Sequence, residues 1–207
     1  MWISCDYADV RRNMRPGDII AFQGRGFISK AICFICRCPV SHVGIVLYVR
    51  DLDGTRHVDL MESTTLAEHT GVQLTHMSER IKTYDGRVWW LPLSDVNREE
   101  MDVVRFLELM KAMRGRKYDR RQAAHFAIDR LRLWSQSEDP SRLFCSELAA
   151  LGLKAAGILP IWFNSSEFRP HDLVNLNLYA DNYYQLSGTR KEIPCFNKVP
   201  INEWRNK

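Results

Sequence analysis

The amino-acid sequence predicts a single α+β domain, and three observations lead to this fold class. Apolar, β-branched runs bounded by turn residues predict strands at 19–22, 40–49 and 57–63. Apolar residues at helical spacing predict helices in the second half of the chain, most clearly over 103–113. Neither an internal repeat nor a low-complexity linker divides the 207 residues, so we expect one domain over 1–207.

The first half of the chain is predicted to form a sheet with one helix. The helix should end before Pro39, because proline lacks the backbone N–H that a helix interior requires. A short loop joins the two longest strands, so these strands should pair as an antiparallel hairpin. We expect, in order, a turn at 15–18, a strand at 19–22, a helix at 27–36, strands at 40–49 and 57–63 around a loop at 51–55, and strands at 72–74 and 88–93.

The second half is predicted to be mainly helical. Asn97, with Glu100 three residues later, has the form of a helix N-cap, and Gly115 is a stop signal. The residues after 158 are rich in Asn, Pro and aromatic side chains, and we expect loops and short strands on the outside of a core at about 15–175, with an extension at 176–207. The expected helices cover 103–113, 121–134 and a segment from near Cys145 to Gly157.

The composition excludes some classes of function. A hydrophobic fraction of 45% and a charged fraction of 26% are ordinary for a globular domain. The net charge of +4 is spread along the chain rather than gathered in a basic stripe, so we expect no nucleic-acid partner. No segment is apolar enough to span a bilayer, and the first residues do not form a signal peptide. A cytoplasmic protein with reduced thiols is therefore expected, although delivery by a phage or a secretion system stays open.

Cys145 is the candidate nucleophile. It lies where a polar loop gives way to an apolar helix, in Leu143-Phe144-Cys145-Ser146. The first turn of a helix presents unpaired backbone N–H groups and the positive end of the helix dipole, so a thiol there ionises more easily. The alternative is that Cys145 is a small buried apolar residue, which is common for free cysteine.

His42 and Glu62 are the candidate base and orienting carboxylate. His42 stands at the start of the strand over 40–49, and Glu62 near the end of the strand over 57–63. Because these strands are expected to pair, Glu62 should lie beside His42 and accept its second ring N–H. His171, next to Asp172, is the second choice of base.

A metal site is the competing interpretation of the cysteines that precede His42. Cys33, Cys36 and Cys38 lie close to this histidine in sequence, and zinc requires about four such ligands. Their spacing is not a regular zinc pattern, and no second Cys/His pair follows. We therefore expect neither a metal nor another cofactor, and we interpret these cysteines as core residues of the helix.

The ordered segments resemble a known family. They are similar to the circularly permuted branch of the NlpC/P60 papain-like superfamily, which includes the YiiX-like proteins and their poxvirus relatives. In that branch the histidine and its polar partner precede the cysteine in the chain. The segments that carry the resemblance are Pro16-Gly17-Asp18-Ile19-Ile20, Ser41-His42-Val43-Gly44-Ile45, Met61-Glu62-Ser63, Gly115-Arg116-Lys117-Tyr118-Asp119, Phe144-Cys145-Ser146-Glu147-Leu148 and Arg169-Pro170-His171-Asp172-Leu173.

The resemblance implies both a fold and a reaction. The implied fold is an antiparallel sheet packed on helices, with the nucleophile at a helix N-terminus. The implied reaction is attack by Cys145 on an amide or ester carbonyl, with His42 as base, Glu62 as orienter and the Cys145 backbone N–H as an oxyanion donor. Tyr118, Ser41 and Ser146 are the expected substrate-pocket residues.

The fold and the triad do not by themselves identify the substrate. The first expectation is a cysteine hydrolase that cleaves an amide bond in a small molecule, a peptide or an acyl lipid. A lipid-directed acyltransferase or esterase is the alternative on the same fold, with Phe27, Trp89 and Trp90 as lining for an apolar groove. A non-catalytic binding module is the third. The oligomeric state is open.

Overall fold

A computed structural model describes residues 1–64, 71–115 and 141–204 of the chain. Within these ranges, the side chains of Ile28, residues 141–144 and Ser166 are not described. Tyr118 and the helix expected over 121–134 lie outside the described residues.

One mixed sheet dominates the described residues. Its strands are β1 (Trp2–Ser4), β2 (Ile19–Gly24), β3 (His42–Leu52), β4 (Thr55–Thr64), β5 (Gly71–His76), β6 (Gly86–Leu91) and β7 (Tyr183–Ser187). Their order across the sheet is β1-β7-β6-β2-β3-β4-β5. The pairing is antiparallel in this part of the chain except between β1 and β7, which are parallel.

Seven helices accompany this sheet in the described ranges. Five of them lie before residue 116 and two after residue 140, and the longest one carries Cys145. None of them has the length and apolar character that crossing a bilayer requires. The helices are α1 (Tyr7–Val10), α2 (Phe27–Cys36), α3 (Met77–Thr83), α4 (Asp95–Glu99), α5 (Val103–Met113), α6 (Ser141–Ala155) and α7 (Pro170–Asn175).

Both faces of the sheet are covered, because neighbouring strand residues belong to different apolar clusters. Ile45 packs in the larger cluster together with Cys145 and Leu148 of α6. Val46, the next residue of β3, packs in a second cluster that includes Phe22. This alternation is the two-residue period of a strand. It explains why β2 and β3 have nearly continuous apolar sequences.

The predicted hairpin is confirmed and places the two candidate site strands side by side. Its turn is Asp53-Gly54, with φ of 49° and 71°. Positive φ at both positions is the geometry of a tight hairpin turn, which Asp-Gly sequences favour. In the resulting register Ile45 lies opposite Met61. The helix predicted at 27–36 is also confirmed, as α2.

Three sequence predictions about the fold are wrong. Asn97 does not cap a helix, because Ser94 caps α4 and Asp102 caps α5, each accepting a backbone N–H with its side chain. The residues after 158 are not all on the outside, since β7 lies between β1 and β6 in the sheet. The sheet is not purely antiparallel, because β1 joins β7 in parallel. Long-range pairing of this kind leaves no local sequence pattern.

Candidate active site

His42 and Glu62 are in direct contact, as the hairpin predicts. The imidazole Nε2 lies 2.8 Å from Oε2 of Glu62. Both side chains are buried. Gly44, on the same strand, contributes by lacking a side chain, because a Cβ there would lie 2.9 Å from the Leu60 side chain. The missing side chain leaves room for Leu60 next to this pair.

Glu62 is held by two further side chains that the sequence interpretation missed. Arg80 donates from Nε to Oε1 at 2.9 Å and from Nη2 to Oε2 at 3.2 Å. Thr75 donates its hydroxyl to Oε1 at 2.9 Å. The Arg80 guanidinium also lies over the rings of Phe22 and Tyr84, at 5.0 and 4.7 Å from their centroids. Glu62 is therefore a fixed, fully bonded carboxylate.

A sequence signal for Arg80 exists, although it is faint. Helix α3 places Met77, Ile81 and Tyr84 three or four residues apart, and all three pack on the second cluster. Arg80 shares this spacing from Met77, so it faces the interior rather than solvent. A buried arginine requires an acidic partner. The sequence pattern alone does not identify that partner as Glu62.

Cys145 interacts with the same imidazole. A hydrogen bond and a charge interaction with this thiol both act on His42. Glu62 contacts Nε2 of the ring. The structure thus brings the three residues into one row, thiol to imidazole to carboxylate. The thiol is 1% exposed and lies in the larger apolar cluster.

The electrostatics of the row favour a protonated imidazole and an ionised carboxylate. Burial lowers the pKa of His42, but Cys145 and Glu62 together outweigh it and raise the pKa from 6.5 to about 9. Burial raises the pKa of Glu62, but His42 and the Arg80 guanidinium outweigh it and lower the pKa from 4.5 to about 2. Near pH 7 the arrangement can therefore hold an imidazolium between two acceptors.

The position of Cys145 within its helix differs from the expectation. Helix α6 begins at Ser141, so Cys145 is its fifth residue and lies one turn inside. In an α-helix the N–H of residue 145 bonds to the carbonyl of residue 141. The prediction that Cys145 occupies the first turn is therefore wrong, and its N–H is not available as an oxyanion donor.

Two of the three expected pocket residues are described, and both are buried. Ser41 bonds to the Phe22 carbonyl from its backbone N–H at 2.9 Å and from its hydroxyl at 3.4 Å. Ser146 donates its hydroxyl to the Phe168 carbonyl at 2.6 Å. These bonds fix the chain on either side of the row, next to His42 and next to Cys145. The role of Tyr118 remains a prediction, as does any contact of the two serines with a substrate.

The competing residues have other partners. His171 contacts its neighbour Asp172, with Nε2 3.2 Å from Oδ1. Cys33 accepts from the Gln23 amide at 3.5 Å, and Cys38 faces Cys195. Across residues 1–64, 71–115 and 141–204, no group of three His, Cys, Asp or Glu side chains could hold a metal ion.

The comparisons with known proteins identify a distant structural neighbour. No protein-family model matches the chain, and no curated protein matches it. Among solved structures, the chain is similar to the metalloprotein YiiX of Escherichia coli O157:H7, a DUF1105 protein, with 21% identity and a TM-score of 0.42. The similarity covers 69% of this chain and 66% of the YiiX chain. This neighbour bears the name of the branch that the sequence segments resemble, and the resemblance to the wider NlpC/P60 superfamily stays a prediction from those segments.

Proposed function

We propose that the protein is a cysteine hydrolase that cleaves an amide bond through an acyl-enzyme on Cys145. The observation that carries this proposal is the row in which Glu62 binds Nε2 of His42 at 2.8 Å while the Cys145 thiol interacts with the same ring. A nucleophile beside a base, with the base oriented by a third group, is the arrangement of activated cysteine and serine enzymes. It is also the arrangement that the sequence segments predict.

The reaction follows from the proton positions. Cys145 transfers its proton to His42, and the thiolate attacks the substrate carbonyl to form a tetrahedral adduct. The adduct collapses to a thioester when the imidazolium gives its proton to the departing amine. His42 then takes a proton from water, hydroxide attacks the thioester, and the thiol is regenerated with the carboxylic acid as product.

Glu62 and Arg80 act through His42 rather than on the substrate. Glu62 holds the orientation of the ring beside the sulfur and stabilises the imidazolium that forms. Arg80 keeps this carboxylate ionised and in place, through two bonds of 2.9 and 3.2 Å. Both are positioning residues in this mechanism.

The proposal is tested by profiling with thiol-reactive acyl and peptide probes, followed by mapping of the modified residue. Because Cys145 is 1% exposed, the set includes iodoacetamide, which is small enough to enter a narrow opening. We expect modification at Cys145, its loss in Cys145→Ala, and a rate at least about 10-fold lower in His42→Ala, because a thiol without its imidazole partner is mainly protonated near neutral pH. Probes that modify Cys145 equally fast in His42→Ala would contradict the proposal.

A matched control is present two strands away. His76 on β5 contacts Asp59 of β4, with Nδ1 2.6 Å from Oδ1, and Asp59 also pairs with Arg50. His76→Ala therefore removes a histidine from a histidine–carboxylate pair without touching the row. We expect this variant to keep the wild-type rate of modification at Cys145. A loss equal to that of His42→Ala would point to general unfolding instead.

A specific observation favours the lipid-directed alternative as the second candidate. Trp89 and Trp90 are buried in the core, but α2 exposes 81% of Phe27 and 85% of Phe34. Three exposed basic residues accompany them, and no acidic residue occurs from 19 to 50. The basic residues are Arg25, Lys30 and Arg37. Aromatic and basic side chains together on an exposed helix are typical of contact with an anionic membrane surface.

This helix adjoins the row through its buried side. The thiol of Cys33 on α2 bonds to the side chain of Ser41, the residue before His42. A membrane bound at α2 would thus present acyl lipids next to the candidate site. Sedimentation with phosphatidylserine vesicles separates the candidates: binding that Phe34→Ser abolishes and Val104→Ser retains favours a lipid substrate. No sedimentation with these vesicles favours a water-soluble amide.

A further inference from the structure

Two cysteines outside the candidate site face each other across a separation of 157 residues. The sulfur atoms of Cys38 and Cys195 lie 2.8 Å apart, and neither residue forms a disulfide in the structure. A disulfide bond is about 2.05 Å long, so closure requires the sulfurs to approach by less than about 1 Å. We propose that Cys38 and Cys195 are a redox pair that closes to a disulfide on reaction with a small-molecule disulfide such as glutathione disulfide.

The backbone on each side of the pair is fixed independently. Cys38 donates its N–H to the Cys33 carbonyl at 3.2 Å, which holds it to the end of α2. On the other side, Asn197 donates its N–H to the Val174 carbonyl of α7 at 2.9 Å. The ring of Phe196, next to Cys195, packs on Tyr183 with centroids 4.3 Å apart. The two thiols therefore meet because separate parts of the fold hold them there.

The neighbouring thiols have other surroundings. Cys33 accepts from the Gln23 amide at 3.5 Å, and Cys36 interacts with Arg169 of the segment before α7. Neither interaction directs these sulfurs to Cys195. The pairing is thus specific to Cys38, although three cysteines share this part of the sequence. It also gives Cys38 a role that the sequence interpretation left open.

The reaction balances as two thiol–disulfide exchanges. Cys195 is partly exposed, whereas Cys38 is 2% exposed, so Cys195 meets the oxidant first. A hydrogen bond from Cys38 lowers the pKa of Cys195 despite its partial burial, which favours the thiolate. The thiolate attacks glutathione disulfide and releases one glutathione. Cys38 then attacks the mixed disulfide at the Cys195 sulfur and releases the second, so two protein thiols are oxidised and one disulfide is reduced.

Closure would join two segments that are distant in sequence. Cys38 lies in the connection from α2 to β3, four residues before His42, and Cys195 lies after β7, the last strand. Linking positions 157 residues apart removes many conformations from the unfolded chain. The oxidised protein should therefore unfold at a higher temperature than the reduced protein. This consequence does not depend on the proposed hydrolase activity.

The test uses the full chain, reduced and then incubated with glutathione disulfide. Alkylation of the remaining thiols with N-ethylmaleimide in denaturant, followed by mass spectrometry, should show four modified cysteines where the reduced protein has six. Peptide mapping should recover Cys38 linked to Cys195. The oxidised protein should melt about 5–10 °C above the reduced one.

Variants make the assignment specific. Cys195→Ser should keep all five remaining thiols, whereas Cys38→Ser should retain one glutathione on Cys195, because no second thiol resolves the mixed disulfide. Neither variant should form a protein disulfide or gain the higher melting temperature on oxidation. Cys36→Ser, the matched control, should still lose two thiols. Cys145→Ala should also lose two, so a failure of the hydrolase proposal and a failure of this one are distinguishable. A disulfide that joins other cysteines, or glutathione retained on Cys195 of the wild type without closure, would overturn the proposal.

Discussion

The buried carboxylate of Glu62 makes Arg80 the most informative residue to change. Arg80→Met removes the guanidinium but keeps an apolar stem of similar length against Phe22 and Tyr84. Glu62 then loses two of its four described hydrogen bonds while it stays fully buried. Removing one partner of a buried ion pair costs about 3–5 kcal/mol when the other charge is left uncompensated.

The expected cost lies at the lower end of that range. His42 and Thr75 still contact Glu62 in the variant, so part of the compensation survives. The guanidinium also leaves two aromatic rings, which adds about 1 kcal/mol that the methionine stem partly replaces. We expect the free energy of unfolding to fall by about 3 kcal/mol. For a domain of this size, that corresponds to a melting temperature lower by about 6–12 °C.

Urea denaturation of a double-mutant cycle measures the effect. Glu62→Gln alone leaves Arg80 buried without its acid, whereas the double variant removes both charges together. The losses of unfolding free energy in the two single variants, added together, should therefore exceed the loss in the double variant by at least about 1.5 kcal/mol. Arg25→Met is the control, because Arg25 and its ion-pair partner Asp85 are both exposed and the change should cost under about 1 kcal/mol.

Two results would refute this reasoning. The first is a stability of Arg80→Met within about 0.5 kcal/mol of the wild type, the usual range of surface substitutions. The second is strict additivity in the cycle, because independent residues show no coupling. Either result would mean that Glu62 does not depend on Arg80. The buried row would then lack the charge that keeps its carboxylate ionised.

The remaining predictions concern pH and packing. The raised pKa of His42 means that its positive charge is complete below about pH 6.5 and is lost as the pH rises through about 9. The rate at which Cys145 reacts with probes that require the imidazolium should therefore fall through that range. Glu62→Gln should move this fall to lower pH. The lowered pKa of Glu62 means that its contribution to stability is complete above about pH 4.5 and is lost as the pH falls toward 2. In an acid titration followed by circular dichroism, Arg80→Met should therefore unfold at a higher pH than the wild type. An unchanged midpoint pH would contradict this. Gly44→Ala should cost about 1–3 kcal/mol in urea denaturation, because the added Cβ meets the Leu60 side chain at 2.9 Å. An unchanged stability would show that the Leu60 side chain can move aside without cost.

The hairpin is the part of the site that the sequence predicts well. Its two strands are adjacent in the chain, its turn has an Asp-Gly signal, and its alternation assigns each residue to a face. These local rules are sufficient to bring Glu62 beside His42. The contact with Cys145 is a different case, because it joins residues about a hundred positions apart, and the resemblance to a family supplied that expectation.

What the sequence did not predict depends on long-range contacts. Arg80 lies in a seven-residue helix whose weak pattern gives no indication of a buried acidic partner. Strand β7 enters the sheet because β1 and β6 present unpaired edges on either side of it, and no local signal at 183–187 reports those edges. The start of α6 was predicted near Cys145, where the apolar residues begin, whereas the helix already includes the polar residues from Ser141. Apolar spacing does not locate the first turn of a helix.

The most direct test of the central claim is the rate at which iodoacetamide modifies Cys145 at pH 6, compared between the wild type and His42→Ala. At this pH an isolated thiol, with an ordinary pKa of about 8.5, is almost entirely protonated and reacts slowly. If His42 and Cys145 share a proton as an imidazolium–thiolate pair, the wild type should react at least about 10-fold faster than the variant. Equal rates in the two proteins would contradict the account.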